Sequence, residues 1–217
     1  MQPSLVRLTA GETPAPHPAR IPYRRALAWK PAWEEEDPPM PVFVTQRAYI
    51  RLCASAGSDL ENEVGGWLAG KWCRDPQTDQ QFIVIETAIP AQHVNNGAAY
   101  ITFTPESMLA LHDRLQEEDA QKRILGWYHT HPRMGIFFSM WDAWLHNNFF
   151  PEPWQVALVM EPHSKSGGFF IRQANGALDQ RRYYGFYELL HRVKKRSVVH
   201  WSNLLPVQAP GSAEGEM

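Results

Sequence analysis

Apolar and polar positions along the chain change period several times, and each change marks an element. Thr45 has the side chain of a helix N-cap, and Ala48, Tyr49, Leu52 and Cys53 share one face of a helix predicted over 46–56, with Gly57 as its stop. Short apolar runs at 66–70, 82–89 and 100–103 read as strands. Thr104, Pro105 and Glu106 then open a second helix whose stripe is Met108, Leu109, Leu111, His112 and Leu115. A strand is expected at 124–130, and Ser139 begins another helix. Residues 155–160 and 169–172 read as paired strands around a Ser-Gly-Gly turn, and 186–195 as a last helix. The order is that of a mixed α/β domain without internal repeats.

The two ends differ from this pattern. Half of the 18 prolines lie in the first 41 residues, beside the acidic run Glu34 to Asp37, so 1–41 reads as a proline-rich extension. Tyr23, Trp29 and Trp33 are costly to leave in water, and they cover the domain or engage a partner. The domain itself is expected over 42–200, and 201–217 reads as a tail. A chain of 217 residues buries roughly 70% of its unfolded surface as one domain. With 21 Lys and Arg against 23 Asp and Glu, the charge of −2 provides no general attraction to nucleic acid or anionic lipid. Two cysteines, an opening without an apolar core and the absence of roughly 18 consecutive apolar residues lead to an expected cytoplasmic setting, with no disulfide framework and no membrane span.

Chemistry concentrates in GWYHTHPRMGIFFSMWD. His129 and His131 stand two apart at a predicted strand end, so their side chains leave one face with Cα atoms about 6.6 Å apart. Asp142 follows in the first turn of the helix opened by Ser139. Two imidazoles and a carboxylate fill three positions of a tetrahedral zinc site and leave the fourth for water, the arrangement of a catalytic site. Hydrolysis also needs a proton carrier. Glu63, just before Val64-Gly65-Gly66, is the candidate, with Glu61 not excluded by spacing. Ser139 can donate its hydroxyl hydrogen to an oxyanion. Read singly, His-x-His is two ordinary histidines and Ser139 with Asp142 a capping box, but together they define a site. His146, one turn after Asp142, is read as a supporting or solvent residue. Phe137 and Phe150 either pack into the core or line a groove for an extended peptide tail. No His-Glu-x-x-His helix and no Pro-Cys-x-x-Cys pair competes.

The segments EVGGWLAG and HTHPRMGIFFSMWD resemble the signature of the JAMM (MPN+, JAB) metalloproteases: a glutamate, then His-x-His-Pro, six residues, Ser, two residues and Asp. The resemblance covers roughly 42–173. It implies Glu63 as general acid/base, Ser139 as oxyanion partner, and His129, His131 and Asp142 as ligands of one catalytic Zn2+. It further implies a curved mixed sheet flanked by helices, related in architecture to cytidine deaminases. GWYHTHP and GGFF are similar to the ubiquitin-chain-cleaving AMSH branch. That branch holds a second zinc partly through a later cysteine, whereas Cys53 and Cys73 both precede the histidines here. The implied activity is an isopeptidase acting after the C-terminal Gly of a ubiquitin-like modifier, deconjugating it from lysines or trimming its precursor. Compact family members in bacterial conjugation operons, some antiviral, imply the modifier, its conjugates and its activating and conjugating enzymes as partners. An inert MPN scaffold and a peptidase processing a sulfur-carrier protein are the alternatives.

Overall fold

The computed structural model describes residues 15–34, 37–91, 95–97, 100–102, 111, 122–191, 193 and 196–210. The expected helix after Thr104 lies outside the described residues. A short β1 (His17–Pro18) is followed by β2 (Ala26–Lys30), β3 (Val42–Thr45), α1 (Gln46–Ala56), β4 (Gly65–Arg74) and β5 (Gln81–Pro90). After the small hairpin β6 (Asn95–Gly97) and β7 (Tyr100–Thr102) come β8 (Arg123–Thr130), α2 (Met140–Phe149), β9 (Val156–Glu161), β10 (Ser166–Phe170), β11 (Phe186–Leu189) and β12 (Leu205–Gln208). The main sheet is mixed, in the order β10-β9-β8-β4-β5-β3-β11-β2-β12, with β1 paired alongside β4. No helix among the described residues is long and apolar enough to cross a membrane.

Strand alternation divides the core between the two faces. Leu68, Tyr128, Leu158 and Phe169 point toward α1, where Tyr49 and Leu52 are buried. Trp67, Trp127, Val159 and Phe170 point the other way, onto Leu145 and Phe150 at α2. A bulge in β8 decides which set faces which. Leu68 pairs with Gly126 but Ala69 pairs with Ile124, so Leu125 is an extra residue. Beyond it the odd-numbered residues of β8 face α2, because one inserted residue reverses every later side chain.

α1 forms as expected, with the Thr45 hydroxyl accepting from Ala48 N and Gly57 ending it. Two local readings are corrected. Ser166-Gly167-Gly168 lies inside β10 and not in a turn, which falls at 162–165 and includes Lys165 at φ 52°. The glycines serve packing: an added Cβ on Gly167 would meet the Trp201 ring, and one on Gly168 the Tyr183 ring. The expected last helix is likewise a strand at Phe186–Leu189, parallel to β3 and antiparallel to β2. Its apolar run fits either period, and pairing on both edges settled it.

Segments before residue 42 and after residue 200 contribute to the sheet and its core. β2 lies between β11 and β12, and Trp201 and Leu204 are buried in the α1-side core. Buried Glu188 on β11 links these segments, accepting from Trp29 Nε1 at 3.1 Å, Gln46 Nε2 at 2.8 Å and Val198 N at 2.9 Å.

Candidate metal centre

β8 carries its histidines out on the α2 side at the end of the sheet. His129 pairs with Gly65 on one neighbour and Val159 on the other, and His131 N continues the ladder to Met160 O at 2.8 Å. Extending the antiparallel register by one pair on the same face sets residue 63 opposite residue 131. Glu63 Oε1 lies 3.8 Å from His131 Nε2. Thr130, between the histidines, fastens this entry: its N donates to Val64 O and its Oγ1 accepts from Val64 N, both at 2.9 Å. Glu61 does not reach the cluster. It is exposed and held by a bidentate pair with Arg133, at 2.9 Å in both bonds.

Asp142 arrives from α2. Ser139 caps that helix reciprocally, its Oγ accepting from Asp142 N at 3.1 Å while its own N donates to Asp142 Oδ2 at 2.7 Å. The capping box and the site therefore share the same carboxylate. Between the strand and α2 the chain reverses through Arg133 and Gly135 at positive φ, and Phe138 anchors the loop in the core. Phe150 is fully buried, which excludes it from a surface groove, while Phe137 is partly exposed with its ring 4.6 Å from that of His131.

His129, His131, Asp142 and Glu63 are all buried. The Nε2 atoms of the two histidines are 2.9 Å apart, and the Asp142 oxygens lie 3.3 Å from His129 Nε2 and 3.6 Å from His131 Nε2. Corners of a zinc tetrahedron with bonds of about 2.0–2.1 Å are about 3.4 Å apart, so these separations fit one ion held between the three side chains. Among the described residues this is the group of His, Cys, Asp and Glu able to hold a metal. Two nitrogens and one carboxylate oxygen also match zinc in donor type.

Burial raises the Glu63 carboxyl to about 7, with Asp142 adding to the rise and His131 opposing it. For Asp142 burial acts upward, but His129, His131 and Ser139 outweigh it and hold the group well below the usual carboxylate range. Burial lowers His129, against the raising effect of Asp142.

Two supporting groups border this cluster: Trp127, which the sequence did not single out, and His146, read from the sequence as a supporting or solvent residue and buried here. Trp127 stacks on His129 with ring centroids 4.5 Å apart and planes 11° from parallel, and its Nε1 donates to His146 Nδ1 at 3.1 Å. The period of two that links Trp127 to His129 and His131 was the available signal. His146 is fully buried, and burial, aided by Arg172, pushes it down to about 3. It stays neutral.

A sequence profile described as prokaryotic homologs of the JAB domain matches residues 45–165. That is more than half of the chain, which belongs to this family and has its α/β JAB/MPN fold. STAM-binding protein of Rattus norvegicus is 32% identical over 118 residues, 54% of this chain and 25% of that protein. COP9 signalosome complex subunit 5 of Caenorhabditis elegans is 28% identical over 116 residues, covering 52% and 29% of the two chains. NAD(+) hydrolase TcpA of a Theionarchaea archaeon is 29% identical over 79 residues, 36% of this chain and 24% of that one. The chain thus spans about a quarter of the length of these relatives. A solution structure of a protein from Desulfitobacterium hafniense shares the fold at TM-score 0.50 and 20% identity, over 65% of this chain and 91% of that one.

Proposed function

We propose that this protein is a zinc-dependent isopeptidase that hydrolyses the bond after the C-terminal Gly of a ubiquitin-like modifier, freeing it from lysines or trimming its precursor. The observation that carries this reading is the buried Glu63 carboxylate set beside the His129–His131–Asp142 cluster. In this reading the two imidazoles and Asp142 hold one zinc ion, which supplies Lewis acidity to acidify water and polarise the scissile carbonyl. Glu63 takes the proton from the attacking water. In this reading Ser139, whose Oγ accepts from Asp142 N, turns its O–H from the Asp142 carboxylate to the carbonyl oxygen as charge develops there. Glu63 then delivers the proton to the departing lysine amine. The modifier and a conjugation system with its own activating and conjugating enzymes complete the proposal; their support is the motif resemblance.

The test is turnover of a ubiquitin-like protein fused through its Gly-Gly tail to a reporter, alongside zinc stoichiometry. The zinc-loaded wild type is expected to cleave at the tail, and a chelator to abolish cleavage. Glu63→Gln should retain zinc and lose about 100-fold to 10,000-fold in rate. A wild type that binds no zinc points to an inert scaffold. Undiminished turnover by Glu63→Gln removes Glu63 from the role.

A further inference from the structure

The metal ligands come from two separate elements, and their geometry depends on what holds β8 against α2. A ligating histidine is ordinarily oriented by a hydrogen bond from its other ring nitrogen to a carboxylate or carbonyl. His129 is built differently: its Nδ1, like that of His131, is buried with no hydrogen-bond partner among the described residues. What faces the ring instead is the indole of Trp127, nearly parallel to it.

An indole N–H only donates, so the His146 Nδ1 that receives it carries no proton. His146 is consequently the neutral tautomer with its proton on Nε2. That Nε2 is buried without a hydrogen-bond partner among the described residues, with the Phe138 and Phe150 rings beside it. An apolar side chain of similar size would avoid this unsatisfied group. The use of a histidine here is the acceptor that it presents to Trp127. His146 also lies one helical turn after Asp142 on α2. The end of that turn is gripped by Arg172, which donates to His146 O at 3.4 Å, Phe150 O at 3.0 Å and Asn147 Oδ1 at 2.8 Å.

We propose that Trp127 and His146 are positioning residues for the metal ligands: the Trp127–His146 hydrogen bond locks α2 to β8, and the locked indole sets the plane of His129. One contact thereby fixes Asp142 and His129 relative to each other. The inference rests on the metal reading of the site, and goes beyond it by assigning the geometry of the ligands to residues that touch neither ion nor substrate.

The experiment is a zinc dissociation constant by chelator competition, on the full chain, for wild type, His146→Leu, His146→Asn and Trp127→Phe. Thermal midpoints of the zinc-free proteins are recorded beside it. Leu keeps the bulk and removes the acceptor. Asn places Oδ1 where Nδ1 stands. His146→Leu is expected to weaken zinc binding about 10-fold to 100-fold, the range for lost outer-shell partners, and His146→Asn to recover most of it. Trp127→Phe, which keeps an aromatic face but no N–H, should resemble Leu and serves if His146→Leu does not fold. Wild-type affinity in the Leu or Phe variant, or an Asn variant as weak as Leu, overturns the assignment. A wild type that binds no zinc overturns the metal reading itself and this inference with it, an outcome visible before any variant is compared.

Discussion

Glu161 shows how much a single carboxylate does at the rim of the site. Its oxygens accept from Arg133 N at 3.1 Å, His163 N at 2.9 Å and Ser164 N at 2.7 Å, tying the chain just after His131 to the 162–165 turn. Burial acts to raise its pKa, but the Ser164 hydroxyl together with these three bonds prevails and brings it from 4.5 to about 2. A group depressed in the folded state contributes stability above its unfolded pKa and loses it as pH falls through the folded one. Glu161→Gln should therefore melt below wild type at pH 7, with the gap narrowing from about pH 5 and closing near pH 2. A gap independent of pH would show that the charge is not what matters. At this scale the structure brings together the Glu63, His129, His131, Ser139 and Asp142 that the sequence singled out: the strand period relates the two histidines and the helix cap relates Ser139 to Asp142, while Glu63 was marked by its place before the Val64-Gly65-Gly66 turn. It left Glu61 open, since only the β4–β8 register and the Arg133 pair separate two glutamates two residues apart. Thr130 and Trp127 were missed, because a threonine or tryptophan in a strand has an ordinary packing role until its partners are known.

Among the elements, β8 shows most clearly how local geometry sets up the site. Gly126 closes its bulge at φ 144°, and a Cβ there would strike the backbone carbonyl of Val156 on β9. The bulge is what turns His129 and His131 toward α2. Gly126→Ala should cost at least about 2 kcal/mol in denaturant unfolding and lower zinc affinity, since both the strained φ and the β8–β9 approach oppose it. Wild-type stability would mean that the bulge relaxes freely. α1 and the start of α2 were legible because their caps are local: a Thr or Ser hydroxyl meets an N–H three residues on. β11 and the glycines of β10 were not, because their roles are defined by Trp29, Tyr183 and Trp201, distant in sequence.

For the whole molecule, the sheet is completed from both ends of the chain. β2 sits between β11 and β12, and Glu188 is buried on donors from β2, α1 and the segment before β12. A chain starting at residue 42 would lose β2, leave β12 unpaired and strip Glu188 of the Trp29 donor. We expect such a chain to be recovered as aggregate or to melt about 10 °C or more below the full chain, since an exposed sheet edge and a poorly satisfied buried carboxylate both act against it. A soluble 42–217 chain with the full-length midpoint would show β2 to be dispensable. The sequence by itself determined the α/β class, the caps, the strand that bears the histidines and the residue types of the site, all of which follow from short-range periodicity and chemistry. Only the tertiary structure decided which glutamate faces the histidines, which face of the sheet they share, and that β2, β11 and β12 close the sheet. Those depend on register, on a one-residue bulge and on pairing between distant segments, where the energy resides in partners that no local pattern names.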